Sequence, residues 1–161
     1  MSGKWSRTSA GDLKGVSDEA GVILECQGDF GQRWKLSGEV EYGKSRYNPW
    51  DAGVLLYVDG VPQFSMMFNP TEGWVAVAPE GELKRFRQPF TPNGKTVKFV
   101  VQVAGGTVNV WLNDVLVIQD QEVEGLSSAI SPRVAIGAKY RWSGSVLTYR
   151  NLKIEPIEPK E

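Results

Sequence analysis

Between Thr96 and Asp114 the chain reads TVKFVVQVAGGTVNVWLND, two runs in which apolar and polar residues alternate on either side of Gly105 and Gly106. Strand side chains point to opposite faces in turn, so Val97, Phe99, Val101 and Val103 share one face of the first run, and Val108, Val110 and Leu112 do the same in the second. This is the pattern of two strands in a sheet with one buried side. The other side carries Lys98, Gln102, Asn109, Trp111 and Asn113. A tryptophan among amides on an outward face asks either for a ligand or for cover from another piece of the chain.

Similar short runs recur along the sequence between turn signals. Strands are expected near 21–26, 33–42, 53–59, 63–68, 74–78, 83–87, 96–104, 107–113, 115–119, 133–139 and 146–155. The separators suit tight turns: Asp59-Gly60, Asn69-Pro70, Pro79-Glu80-Gly81, Pro92-Asn93-Gly94, Gly105-Gly106 and Asn113-Asp114. No window has helical periodicity. Many short strands with frequent hairpins describe an all-β protein, an antiparallel sandwich or barrel. At 161 residues the chain reads as one domain over 1–161, with its core over about 12–156 and a tail at 157–161. From Ile154 onward Pro alternates with charge, which reads as a frayed end or linker.

Charge and residue types exclude several function classes. Eighteen basic and nineteen acidic residues leave a net charge of -1, without the overall positive field that a phosphate backbone requires, so no nucleic-acid partner is expected. Cys26 is the single cysteine and cannot form an intrachain disulfide. The absence of histidine removes Ser-His-Asp and Cys-His arrangements and every His-containing metal site. Chemistry would have to come from carboxylates, Tyr, Lys or Arg. No segment has signal-peptide character or the length to cross a bilayer, so no membrane partner is expected. As written the chain fits a cytoplasmic protein, and it fits an excised module of an exported one equally well.

The order WKLSGEVEY, a polar loop, DAGVLLYVDG, the pair KTVKFVVQVAGGTVNVWLNDVLVIQD and a closing VAIGAKYRWSGSVLTYRNLKIEP resembles the concanavalin A-like lectin/glucanase superfamily. Within it the likeness leans toward the laminin-G-like and 3-keto-disaccharide-hydrolase-like jelly rolls of bacteria, over roughly residues 20–156. The resemblance implies an antiparallel β-sandwich, a jelly roll of concanavalin A-like type. It also implies that the strand WKLSGEVEY lies antiparallel beside the C-terminal strand LTYRNLKIE. In that arrangement the loops 43–52 and 139–145, and the turn 69–73 with Trp74, emerge at one end of the sandwich.

Three loops would then build one surface from Arg46, Tyr47, Asn48, Trp50, Asp51, Trp74, Tyr140, Arg141 and Trp142. Sugars present an apolar C–H face ringed by hydroxyls, which suits aromatic plates beside planar amide, carboxylate or guanidinium groups. The same aromatics could instead fold back as lids over the core, with an Arg paired to Asp51. The alternative ligand face is that of Gln102, Asn109, Trp111 and Asn113, unless the segment 120–131 covers it. Glu39 and Glu41 share a strand face and could act as a carboxylate pair or form a solvated surface. The glucanase motif Glu-x-Asp-x-x-Glu is absent. Lys84, Arg85 and Arg87 around Phe86 could meet an acidic polymer or guard a sheet edge. No cofactor is expected; calcium is conceivable at Asn48 and Asp51 with Asp59 or Asp29.

These features lead to the expectation of a noncatalytic, lectin-like carbohydrate-binding module whose partner is a glycan or polysaccharide. The alternatives are a structural or protein-interaction domain that docks on another protein domain, and a carbohydrate-active hydrolase.

Overall fold

The alternating runs fold as strands in a computed structural model, which describes residues 4–9, 11–16, 22–25, 32–42, 52–58, 61–69, 73–78, 81–86, 96–123, 125–126, 133–138 and 146–157. In chain order they are β1 (Lys4–Arg7), β2 (Leu13–Val16), β3 (Val22–Glu25), β4 (Arg33–Tyr42), β5 (Ala52–Val58), β6 (Val61–Asn69), β7 (Gly73–Ala78), β8 (Gly81–Phe86), β9 (Thr96–Ala104), β10 (Thr107–Leu112), β11 (Val115–Glu122), β12 (Arg133–Ala138) and β13 (Val146–Pro156). A seven-stranded sheet has the order β1-β2-β13-β4-β9-β10-β11, and a six-stranded sheet the order β3-β12-β5-β6-β7-β8. Each pairing is antiparallel. The protein is an all-β antiparallel sandwich of concanavalin A-like jelly-roll type. No helix occurs among the described residues.

The period of two decides what lies between the sheets. Val97, Phe99, Val101 and Val103 of β9 are fully buried, as are Trp34 and Val40 of β4 and Val108, Val110 and Leu112 of β10. The six-stranded sheet contributes Phe64, Val134 and Ile136 to the same core. Phe99 meets Tyr149 of β13 edge to face, with ring centroids 6.2 Å apart. Each such side chain contributes roughly 1.5–3 kcal/mol by leaving water.

β4 and β13 are antiparallel neighbours, registered from Leu147↔Tyr42 to Pro156↔Trp34, as the resemblance implied. Three expectations need correction. The hairpin β1–β2 was not anticipated, because four-residue strands are too short to display a period. The frayed end expected from Ile154 is strand as far as Pro156; Ile154 packs against the core, and Ile157 N–H donates to Arg33 O at 3.1 Å.

The third correction concerns the segment 120–131. β11 continues to Glu122 through two register shifts against β10, and the chain then turns inward, burying Val123 and Leu126. Asp120 adopts φ 49° in this bulged stretch, and its N–H is taken up by Asn109 Oδ1 at 2.8 Å. Bulging of this kind interrupts alternation and blunts an edge strand against further pairing. The described part of the segment therefore runs into the sandwich and is not a cover laid over Trp111.

Candidate functional site

The two sheets are joined by connections whose roots can be placed by register. Tyr42, the last residue of β4, is opposite Leu147 of β13, and Ala52, the first residue of β5, is opposite Ala138 of β12. The connections 43–51 and 139–145 thus leave paired strands in one sheet and enter paired strands in the other, at the same end. Phe68 is opposite both Ala52 and Trp74, which brings the turn 70–72 and the start of β7 to that end. Phe86 is opposite Trp74 and Thr96 is opposite Glu41, so the connection 87–95 is rooted there too. Val16↔Val146 and Val22↔Ala138 add the connection 17–21.

Arg46, Tyr47, Asn48, Trp50, Asp51, Tyr140, Arg141 and Trp142 lie outside the described residues. Trp74 is described as backbone, in register with Phe68 and Phe86. Register adds what strand assignment had not: Arg87 and Lys95 belong to a connection rooted at the same end. The signal was available in the hairpin count, since each reversal fixes the end at which the next connection emerges.

The six-stranded sheet bears a further feature near these roots. Val134 and Ile136 of β12 are buried in the core, and Gly137 follows them in the same strand. Gly137 is opposite Gly53 of β5. Two facing glycines form a floor without side chains at this register, one residue from Ala52 and Ala138.

The alternative ligand face is fully described and lies on the outward side of the seven-stranded sheet. Trp111, Gln102 and Asn109 are half-buried and Asn113 is exposed. The oxygens of two of these amides are already engaged, Asn109 Oδ1 by Asp120 N–H and Asn113 Oδ1 by Lys98 N–H at 2.9 Å. Asn113 and Asp114 take φ values of 48° and 67°, the left-handed pair that a two-residue hairpin turn requires. Lys98 Nζ donates to Asp114 at 2.8 Å, and this bond holds the ammonium above its usual range.

Glu39 and Glu41 lie on the same outward side but are tied into the surface. Glu41 forms an ion pair with Arg150, whose Nε also donates to Asp12 Oδ2 at 2.8 Å. Those bonds, Glu41 first and Asp12 second, raise the guanidinium further above its ordinary value. Glu39 Oε2 accepts from Asn151 Nδ2 at 3.0 Å. A carboxylate pair for glycoside hydrolysis needs both groups free to face the substrate, and here Glu41 is paired with Arg150 and Glu39 with Asn151. The pair is a surface brace between β4, β13 and the N-terminal hairpin. Of the basic cluster, Lys84 and Arg85 stand on β8, the edge of the six-stranded sheet; their side chains and Arg87 lie outside the described residues.

No group of three or more Cys, Asp or Glu residues able to hold a metal occurs among the described residues. Asn48, Asp51, Asp59 and Asp29, the residues named for calcium, lie outside them.

No family model matches the chain, and no curated protein matches it in sequence. Solved structures do. An alginate lyase from Pseudomonas aeruginosa superposes with a TM-score of 0.75 at 12% identity, covering 98% of this chain and 87% of the other. The alginate lyase AlyC3 in complex with dimannuronate gives 0.70 at 12%, over 94% and 77%. A functionally unknown protein from Saccharomyces cerevisiae gives 0.72 at 12%, over 99% and 95%. These likenesses establish the fold. They also correct the expectation of a noncatalytic, lectin-like module: the sugar-bound neighbours of this sandwich are carbohydrate-cleaving enzymes, which favours the carbohydrate-active alternative.

Proposed function

We propose that this chain is a carbohydrate-active enzyme that cleaves an acidic, uronate-bearing polysaccharide by elimination, at the end where the connections 43–51, 87–95 and 139–145 are rooted. The observation that carries the proposal is the distribution of charge between the two ends. Connections rooted at the proposed end, the turn 113–114 between β10 and β11 included, contain Lys44, Arg46, Arg87, Lys95, Lys139 and Arg141 against Asp18, Glu19, Asp51, Glu72 and Asp114. The connections at the opposite end, 26–32, 59–60, 79–80, 105–106 and 123–132, contain Asp29, Asp59, Glu80 and Glu124 and no Lys or Arg. A polymer of carboxylates is drawn to the first end and repelled from the second.

Elimination suits the residue types available. The proton on the carbon beside the uronate carboxylate is removed, the glycosidic C–O bond to the leaving oxygen breaks, a C=C bond forms, and the leaving oxygen takes up a proton; no water is consumed. The carboxylate must first be neutralised, which a planar guanidinium does in two-point contact, and Arg46 and Arg141 are the candidates. A tyrosine takes that proton as its phenolate, which neighbouring cations stabilise, and the phenol so formed can return it to the leaving oxygen; Tyr47 and Tyr140 are the candidates. Trp50, Trp74 and Trp142 would stack on sugar rings, Asn48 and Asp51 would take hydroxyls, and the Gly53–Gly137 floor would let a ring lie close to the sheet.

The test is incubation with alginate and with other uronate polysaccharides, following the ultraviolet absorbance of the unsaturated product and the length of the chains. Wild type should generate both signals, Arg141→Ala and Tyr140→Phe should lose them, and their melting temperatures should stay near wild type. New reducing ends without the absorbance would replace elimination by hydrolysis. Neither signal with any acidic polysaccharide would end the proposal.

A further inference from the structure

The N-terminal hairpin hangs on one edge of the seven-stranded sheet. β1 pairs with β2, and β2 pairs with β13 over four residues, from Val16↔Val146 to Leu13↔Tyr149. Both strands also reach β3, at the edge of the other sheet. Among the hairpin side chains that are described, Leu13 packs against the core, while Ser6, Arg7, Ser9 and Lys14 are exposed; Gly15 is buried but has no side chain to contribute. The described part of the hairpin thus gains little from burial, whereas β9 and β10 bury every second side chain completely.

The turn of the hairpin is held by bonds of its own. Thr8 N–H donates to Asp12 O and Gly11 N–H to Thr8 O, each at 2.9 Å. Asp12 N–H donates to Thr8 Oγ1 at 3.1 Å, and Arg7 donates to Gly11 O at 3.2 Å. None of these four bonds crosses to the sandwich, so the turn keeps its shape if the hairpin lifts. A bond that does cross runs from Arg150 Nε of β13 to Asp12 Oδ2 at 2.8 Å, between side chains 34% and 20% exposed. Arg150 is held from its other side by Glu41 of β4. Asp12 therefore serves the turn with its backbone and the sandwich with its carboxylate.

We propose that this hairpin is a latched strap, which opens and closes on the sandwich as a unit while the two sheets stay folded, with the ion pair of Asp12 and Arg150 as its latch. Opening turns β13 from an inner strand into the edge of the seven-stranded sheet and frees the backbone groups of residues 146–149 that served β2. Val146 and Leu147 root the connection 139–145, so the latch sets how firmly the chain is held at that end of the sandwich. The opening does not require the cleavage chemistry proposed above.

The experiment is hydrogen–deuterium exchange of the full chain, read amide by amide by NMR in wild type and in Asp12→Asn, with no substrate present. In wild type the hydrogen-bonded amides of β1 and β2 should exchange faster than those of β9 and β10 by a factor on the order of a hundred. In an inner antiparallel strand successive N–H groups point to alternate neighbours. Of the amides at 146–149, those that face β2 should therefore exchange with the hairpin, and those that face β4 with the core. Asp12→Asn keeps the turn, which uses the Asp12 backbone, and leaves Glu41 on Arg150. It should speed exchange in the hairpin about fivefold and leave β9 and β10 unchanged. Hairpin amides as slow as those of β9 in wild type, or an Asp12→Asn effect shared equally by β9, overturn the separate opening. A hairpin that exchanges at the wild-type rate in Asp12→Asn overturns the latch. Failure here is distinguishable from failure of the proposed enzyme, because exchange reads opening and the absorbance assay reads cleavage.

Discussion

Replacing Gly38 by alanine tests how tightly the core is closed at the one point where β13 departs from regular pairing. Gly38 lies on the inward side of β4, opposite Phe99 of β9 and the register shift between Arg150 and Lys153 of β13. A Cβ placed there meets Leu152 Cδ2 at 2.8 Å, Arg150 O at 3.2 Å and Phe99 Cζ at 3.3 Å. The Leu152 methyl can rotate away. The carbonyl belongs to a paired strand, and the Phe99 ring is fully buried against Tyr149, so neither yields freely. Forcing a methyl into a filled core costs about 1–3 kcal/mol. Removing a strand glycine returns roughly 0.5–1 kcal/mol through the unfolded chain. The net loss is about 1–2 kcal/mol, a fall in melting temperature of roughly 3–6 °C for a chain of this length. Thermal and urea unfolding followed by tryptophan fluorescence would measure it. Adding Leu152→Ala should cost less in the Gly38→Ala background than in wild type, because it opens the tightest contact. A melting temperature unchanged or raised in Gly38→Ala, or strict additivity in the double variant, refutes the reasoning.

Two further expectations follow from backbone and charge. Asp120→Gly relieves a left-handed residue at φ 49° on an exposed stretch of β11, and should raise stability by up to about 1 kcal/mol in urea unfolding; a loss would assign the Asp120 side chain a structural role. Glu155 is held below the usual carboxylate range by Lys153 first and Lys35 after it, so its contribution is present above the unfolded value and is lost as pH falls through the lowered folded value. The stability gap between wild type and Glu155→Gln should therefore be open at neutral pH and narrow progressively as pH falls below the usual carboxylate range, in urea midpoints taken across that range. A gap that persisted in acid would assign the loss to something other than the carboxylate charge.

Strands whose two sides differ in polarity could be read from the residues. β4, β9, β10 and β12 pack one side against the other sheet, and their alternation marks both type and bounds; β9 was expected over 96–104 and spans Thr96–Ala104. The elements that escaped lack that contrast. β1 and β2 hold four residues each and gain their place from pairing, β2 with β13 and β1 with β2. The second half of β11 hid behind its bulge, since a register shift moves side chains between faces and erases the period. The tail from Ile154 was misread for a related reason. Pro and charge describe an exposed edge as well as a frayed end, and the pairing of residues 154–156 with β4, the bond from Ile157 N–H to Arg33 O and the packing of Ile154 separate the two.

The candidate site was less legible because its residues are divided among segments far apart in the chain. An aromatic loop with an Arg and an Asp reads identically in a lectin, a docking domain and a lyase, since all three present plates and planar polar groups to a partner. The expectation of simple binding rested on that shared feature together with missing motifs, and a missing motif excludes only the mechanism that uses it. Net charge is limited in a similar way. A total of -1 disfavours a polyanion spread over the whole surface, yet it is silent about how the charges are arranged. Register supplies the arrangement: Arg46, Arg87, Lys95 and Arg141 belong to three separate connections, and the pairs Tyr42↔Leu147, Ala52↔Ala138, Trp74↔Phe86 and Glu41↔Thr96 root those connections at one end. A nearly neutral chain can therefore carry different charge at its two ends, and a polymer of carboxylates would experience the difference between them and not the sum.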